Sequence, residues 1–314
     1  MKKKTKRKIV VGSLAVLSAA AVTLVSAAVA TALRKPKDIS ETPDDAVEAL
    51  IGSFTVEEKG EGAPMPLSEE LEPQIQEIID DISARCGGEW SVYLTIPATG
   101  DTLSMNPKKL RAASVIKLFV MGAVYEEYDD LVKYYAGDDI PESIEAMITI
   151  SSNEDADLLV MMLGRGDAAA GLKKVNDYCK AKGFENTKMG RLMGVNDEVN
   201  DNITTAEDSA KFLEMVLQGE LPHSKDMIKY LMAQDRRNKI PEGVPKNVKC
   251  ANKTGELEDV ENDAAIVFAA KPYILCVMAD GVGDYQPPID AISDISTVTY
   301  NYVAPKVAYQ SGDE

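Results

Sequence analysis

Three short motifs, set in order along apolar surroundings, constrain this chain more than any other feature: Ser114-Val115-Ile116-Lys117, Ser151-Ser152-Asn153 and Lys253-Thr254-Gly255. Any one of them arises by chance in a chain of 314 residues, and a capped helix start or a strand-end turn accounts for each alone. Three in sequence at domain-scale spacing are not independent. They require a fold that carries a serine and a lysine on one helix face, a second polar turn among helices, and a lysine at the end of a strand.

The residues between the motifs supply such elements. Ser68-Glu69-Glu70 opens a stretch with Leu71, Ile75, Ile78, Ile79 and Ile82 at helical spacing, closed by Gly87-Gly88. Trp90 to Ile96 reads as a strand, and Ala98-Thr99-Gly100-Asp101 as a hairpin turn into Thr102 to Met105. From Ser114 to about Leu231 the period is helical, with breaks at Gly137-Asp138, Gly164 to Gly166, Gly183 and Leu192 to Asn202. Strand character returns at 247–254, 260–269 and 273–278, and a last helix is expected over 289–307. This order predicts an α/β chain of the α+β type: one antiparallel sheet flanked by the terminal helices, with an inserted all-helical lobe.

The two ends of the chain differ in charge. Six of the first eight residues are Lys or Arg, and Ile9 to Leu33 follows without a charge. That run exceeds the ~20 residues that span a bilayer. It reads as an uncleaved single-pass membrane anchor with the basic end in the cytoplasm and everything after Leu33 outside the cell; a cleaved signal peptide, with small residues at Ala28 to Ala32, is the alternative. Residues 1–33 are thus read as tail and anchor, 34–67 as a Pro-, Gly- and acid-rich stalk, and 68–314 as the working domain. Nine of the 34 Lys/Arg lie in residues 1–37, which leaves 25 against 51 Asp/Glu in the rest. Such a surface disfavours nucleic acid as a partner. The cysteines Cys86, Cys179, Cys250 and Cys276 lack metal-ligand spacing, and the single histidine, His223, lies in a polar stretch far from Ser114 and Ser151. A Ser-His-Asp triad is therefore a poor reading, and no cofactor is implied.

Chemistry follows from spacing. Residues three apart share a helix face, so the Lys117 amine comes beside the Ser114 hydroxyl. Burial among Ile116, Leu118, Phe119 and Val120 lowers that amine's pKa towards neutrality and makes it a base for the serine. Ser114 in the first turn of a helix also gains about half a unit of positive charge near a developing oxyanion.

Together the motifs resemble the S-x-x-K, S-D-N and K-T-G set of class A β-lactamases and penicillin-binding proteins, and the likeness covers about Leu71 to Val307. It implies a β-lactamase/transpeptidase-like fold with a five-stranded sheet. By residue, it implies Ser114 as nucleophile, Lys117 as base, Ser151 as proton relay and Asn153 as a substrate contact. Lys253, Thr254 and Gly255 then bind the substrate's anionic group, and the backbone N–H of Glu256 joins that of Ser114 as an oxyanion hole. The implied substrate is a β-lactam or a D-Ala-D-Ala-type peptidoglycan stem, and the protein a monomer. Two positions depart from the family's pattern. Ser152 stands where the family has an aspartate, which touches a supporting residue. Met193 stands where class A β-lactamases carry the glutamate that activates the deacylating water. Asp197 and Glu198 are candidate substitutes in the same loop, whose base would be closed by Arg191 with Asp201 or Asn202. Serine attack survives such a loss and fast hydrolysis does not, so a slow β-lactamase, a D-Ala-D-Ala peptidase and a non-hydrolysing penicillin-binding or wall-binding module all remain open.

Overall fold

A computed structural model describes residues 67–304, apart from 137, 138, 198 and 285. The expected basic tail and anchor, and the expected stalk up to residue 66, lie outside the described residues, as does the end of the last helix beyond residue 304, while Leu67, expected to close the stalk, opens the first helix and is buried. Among the described residues, no helix is long and apolar enough to cross a membrane.

Helix α1 (Leu67–Cys86) buries Leu71, Ile75, Ile79 and Ile82, the side that its sequence spacing defines. Strand β1 (Gly87–Ile96) follows without a linker, because Gly87 and Gly88 take φ values of 71° and 88° and turn the chain straight from helix to strand. Thr99 and Gly100 donate their backbone N–H to the Ile96 carbonyl and close the hairpin into β2 (Asp101–Met105). The sheet is completed late in the chain by β5 (Lys249–Leu257), β6 (Val260–Phe268) and β7 (Tyr273–Val282), in the antiparallel order β2-β1-β7-β6-β5. A two-residue pair, β3 (Leu110–Arg111) with β4 (Ile203–Thr204), lies apart from it.

Every residue of β6 is buried, so both faces of the sheet are covered and alternate side chains enter different cores. Ala264 and Ile266 join the core beneath the helical lobe, whereas Ala265 and Val267 join α1 and the last helix (Gln286–Val303). The lobe comprises α2 (Lys117–Glu126), α3 (Tyr128–Tyr134), α4 (Ile140–Thr149), α5 (Asn153–Leu163), α6 (Ala168–Lys182), α7 (Ala206–Leu217) and α8 (Ser224–Met232); the last helix is α9. Side-chain oxygens of Asp139, Ser152, Asp167 and Thr205 accept backbone N–H groups at the starts of α4, α5, α6 and α7. Helix α2 is buried on all sides from Lys117 to Tyr125, and Phe119 meets Phe184 and Phe212 edge to face at 5.2 and 5.5 Å. The end of this central helix carries the first motif.

Candidate active site

Ser114 is not in the first turn of an α-helix, as its sequence suggests. It sits in a one-turn 3-10 helix, Ala113–Ile116, and α2 begins at Lys117. Ala113 supplies the entry with a φ of 46°, in the left-handed region that non-glycine residues rarely occupy. Long-range bonds hold this turn. The Ala112 N–H donates to the Asn202 carbonyl at 2.8 Å, and the Asn262 side chain donates to the Arg111 and Ala112 carbonyls at 2.9 and 3.1 Å. Arg111 itself binds Asp280 and Asp259.

Lys117 projects from the start of α2 into a ring of oxygens. Its Nζ lies 3.2 Å from Ser114 Oγ, 2.6 Å from the Ser151 carbonyl, 3.2 Å from Ser151 Oγ and 2.7 Å from Asn153 Oδ1. Ser151 presents both of its oxygens because its φ is 59°; such a residue costs ~1–2 kcal/mol and persists where its surroundings over-determine it. Ser152 caps α5, accepting the Asp155 N–H at 3.1 Å, and thereby sets Asn153 at the helix start. From the other side, Lys253 Nζ reaches Ser151 Oγ at 2.9 Å and the Thr254 carbonyl at 2.8 Å. Two fully buried lysines therefore converge on one serine hydroxyl.

Their electrostatics follow from that burial. Desolvation, reinforced by Arg236 and opposed by Asp157, lowers the Lys117 amine to about 8. Desolvation, with repulsion from Lys117 and Arg236, holds Lys253 well below the ordinary lysine range. An uncharged amine within hydrogen-bond reach of Ser114 Oγ can accept its proton.

The remaining predicted residues fall around this centre. Thr254 is fully buried and its Oγ1 has no partner among the described residues. Gly255 presses β5 against the 3-10 turn: a Cβ there would stand 2.7 Å from the Ala112 carbonyl oxygen. The Glu256 side chain meets Lys239 and Arg236 at 3.1 and 3.5 Å. The loop from Arg191 to Asn202 is closed at its base by Arg191 with Asp201 at 2.8 Å, while Asn202 Oδ1 accepts the Gly190 and Arg191 N–H groups. Asp157 accepts the Met193 and Gly194 N–H groups at 2.6 and 2.9 Å, so Met193 lies against α5. The Asp197 carboxylate is engaged within its own exposed loop, accepting from Val199 and Asn200, and the Asn200 side chain lowers its pKa. Glu198 lies outside the described residues. His223 stacks on Tyr125 and contacts Asp226.

Asp157, Asn262, Lys239 and Arg236 were not singled out from the sequence. Asp157 was legible in retrospect, being four residues after Asn153 and so on the same helix face. Asn262 stands in a polar Glu-Asn-Asp run opening an otherwise apolar strand.

A serine beside a desolvated lysine, with a second serine bridging to a second lysine, is an arrangement in which an amine can serve as the serine's base. The chain belongs to the beta-lactamase enzyme family, which it matches over residues 70–131 and 139–303. Among solved structures it resembles a beta-lactamase from Sphaerobacter thermophilus DSM 20745, with a TM-score of 0.63 and 23% identity over 73% of this chain and 96% of that one. PBP-A is similar at a TM-score of 0.65 and 22% identity, over 77% and 98% of the two chains. A glutamate variant of PBP-A, solved as an acyl-enzyme complex with penicillin G, matches at 0.64 and 22%, over 76% and 99%. No curated protein matches the sequence.

Proposed function

We propose that this chain is a serine acyl-hydrolase that accepts β-lactams on Ser114 and releases them slowly. The observation that carries the reading is the single hydrogen-bonded cluster of Ser114, Lys117, Ser151, Asn153 and Lys253. In the step inferred, Ser114 Oγ bonds to the lactam carbonyl carbon and its proton passes to Lys117 Nζ. The lactam C–N bond then breaks, and Ser151 delivers a proton from the lysine pair to the departing nitrogen. The backbone N–H groups of Ser114 and Glu256 face the developing oxyanion, and Lys253, Thr254 and Gly255 take the substrate's carboxylate.

Slow release follows from Met193. Among the described residues no carboxylate hydrogen-bonds Ser114 or Lys117, and Asp157, the acid with the largest influence on Lys117, already accepts two backbone N–H groups. The same absence favours, as second reading, a D-Ala-D-Ala peptidase-like wall enzyme, which performs the same serine acylation on a peptide. That the L158E variant of PBP-A, a protein of this fold, is an acyl-enzyme with penicillin G supports covalent capture here. The N-terminal charge pattern supports an extracellular domain on a single-pass anchor, and protease shaving of intact cells tests it by removing the domain.

Incubation with a fluorescent penicillin followed by denaturing electrophoresis tests the acylation. Wild type is expected to carry the label and Ser114→Ala to carry none; label retained by Ser114→Ala removes the nucleophile assignment.

A further inference from the structure

Behind the third motif lies a charge cluster that the acylation chemistry does not use. Strands β5 and β6 pair so that Glu256 stands directly opposite Glu261. Like charges facing each other across a ladder are unfavourable, and these are poorly solvated: the Glu256 side chain is 15% exposed and that of Glu261 1%. Lys239, itself wholly buried, is placed between them. Its Nζ lies 3.1 Å from Glu256 Oε1, 2.6 Å from Glu261 Oε2 and 3.2 Å from the Asn262 carbonyl oxygen. Arg236 reaches Glu256 Oε2 from the solvent side at 3.5 Å.

Those three acceptors lead to both halves of the acylating site. Glu256 is the residue after the Lys253-Thr254-Gly255 motif. Asn262, whose carbonyl Lys239 holds, donates its side-chain amide to the Arg111 and Ala112 carbonyls, immediately before the Ser114 turn. The ammonium donates to Glu256 Oε1 and to the Asn262 carbonyl and pairs with Glu261 Oε2 by charge, so one compact cation serves three oxygens in a dry interior. A buried carboxylate pair without its cation would have to be neutralised or exposed.

We propose that Lys239 is a positioning residue: by bridging Glu256, Glu261 and the Asn262 carbonyl, it fixes the end of β5 relative to the Ser114 turn and keeps the Glu256 carboxylate from opposing the oxyanion. The proposal rests on the reading above, in which Glu256 N–H donates to that oxyanion. Lys239 touches no reacting atom. It acts through the placement of the strand end, and preorganised donors lose their effect when they are displaced.

The experiment uses penicillin G as the probe and two variants, Lys239→Met and the charge-neutral Lys239→Met/Glu261→Met. The double variant leaves no unpaired charge on the Lys239–Glu261 pair and keeps the fold measurable where the single variant does not. Acylation rate is followed by rapid quench and mass spectrometry, and the acyl-enzyme carbonyl stretch by infrared difference spectroscopy. Removing one oxyanion donor outright costs ~10²–10³-fold in rate, so displacing it is expected to slow acylation about tenfold or more. The carbonyl band should move to higher wavenumber as its hydrogen bonds weaken, and in the double variant the shift should persist although thermal stability returns. A folded double variant with the wild-type band and rate overturns the role given to Lys239 and leaves the acylating reading intact. A wild type that never forms an adduct overturns both.

Discussion

Gly255→Ala isolates the contact on which the site's geometry depends. The residue carries no positive φ, so alanine meets no backbone penalty there, and the whole effect is steric. An ideal Cβ would lie 2.7 Å from the Ala112 carbonyl oxygen and 3.1 Å from both Val115 N and Val115 Cγ2, where ordinary contact begins near 3.4 Å. Restoring contact to the Ala112 oxygen takes about 0.7 Å of separation between β5 and the 3-10 turn. The Ala112 oxygen and Val115 N are backbone atoms, so rotating a side chain cannot relieve those two contacts. Overpacking of this kind costs ~1–3 kcal/mol of stability, which a family-sized domain tolerates. A misplacement of about 1 Å costs ~10²-fold in rate, so 0.7 Å should slow acylation roughly 10- to 100-fold. The assay is the second-order rate of labelling by a fluorescent penicillin, with circular dichroism to confirm the fold. A folded Gly255→Ala protein that acylates at the wild-type rate would refute the contact's role in setting the site.

Two further outcomes follow from the same geometry. Acylation should rise with pH through about 8, because Lys117 accepts a proton only when uncharged and burial places its pKa there; two units lower, roughly a hundredth of the amines are free. The sign for stability agrees: with the folded pKa depressed from 10.5 to about 8, the unfolded state binds more protons across that window, so this lysine makes the fold more stable as pH rises through it. A rate that is flat from pH 6 to 9 removes Lys117 as base. Asp157→Ala should free the Met193 and Gly194 N–H groups, raising proteolytic cleavage between residues 191 and 202 with the rest of the domain intact; unchanged cleavage shows that the Arg191–Asp201 pair alone closes the loop.

The sequence made the five strands and the lobe legible because their apolar periods are strong and Gly87-Gly88, Gly100 and Gly183 punctuate them. It made the Ser114, Lys117, Ser151, Asn153 and Lys253 cluster legible through motif order. It misplaced Ser114 by one kind of helix, since a 3-10 turn and a first α-turn have the same local composition and the long-range bonds from Asn202 and Asn262 decide between them. The Lys239 bridge was illegible for a related reason. Nothing in the sequence joins Lys239 to Glu256 and Glu261 until the β5–β6 register sets the two glutamates opposite each other. Asp197 and Asp157 show the limit of loop reading: proximity in sequence suggested the former as a substitute base, and helix spacing put the latter beside Met193.

Covalent capture with slow release is tested most directly by the intact-mass time course of the wild-type protein after a brief exposure to penicillin G and removal of the excess. One penicillin is expected on each chain, located on the peptide containing Ser114, and persisting for minutes or longer, against the sub-second clearance expected at a typical turnover of ~10 s⁻¹. A chain that never gains the mass, or that gains it and clears it within a second, contradicts the account.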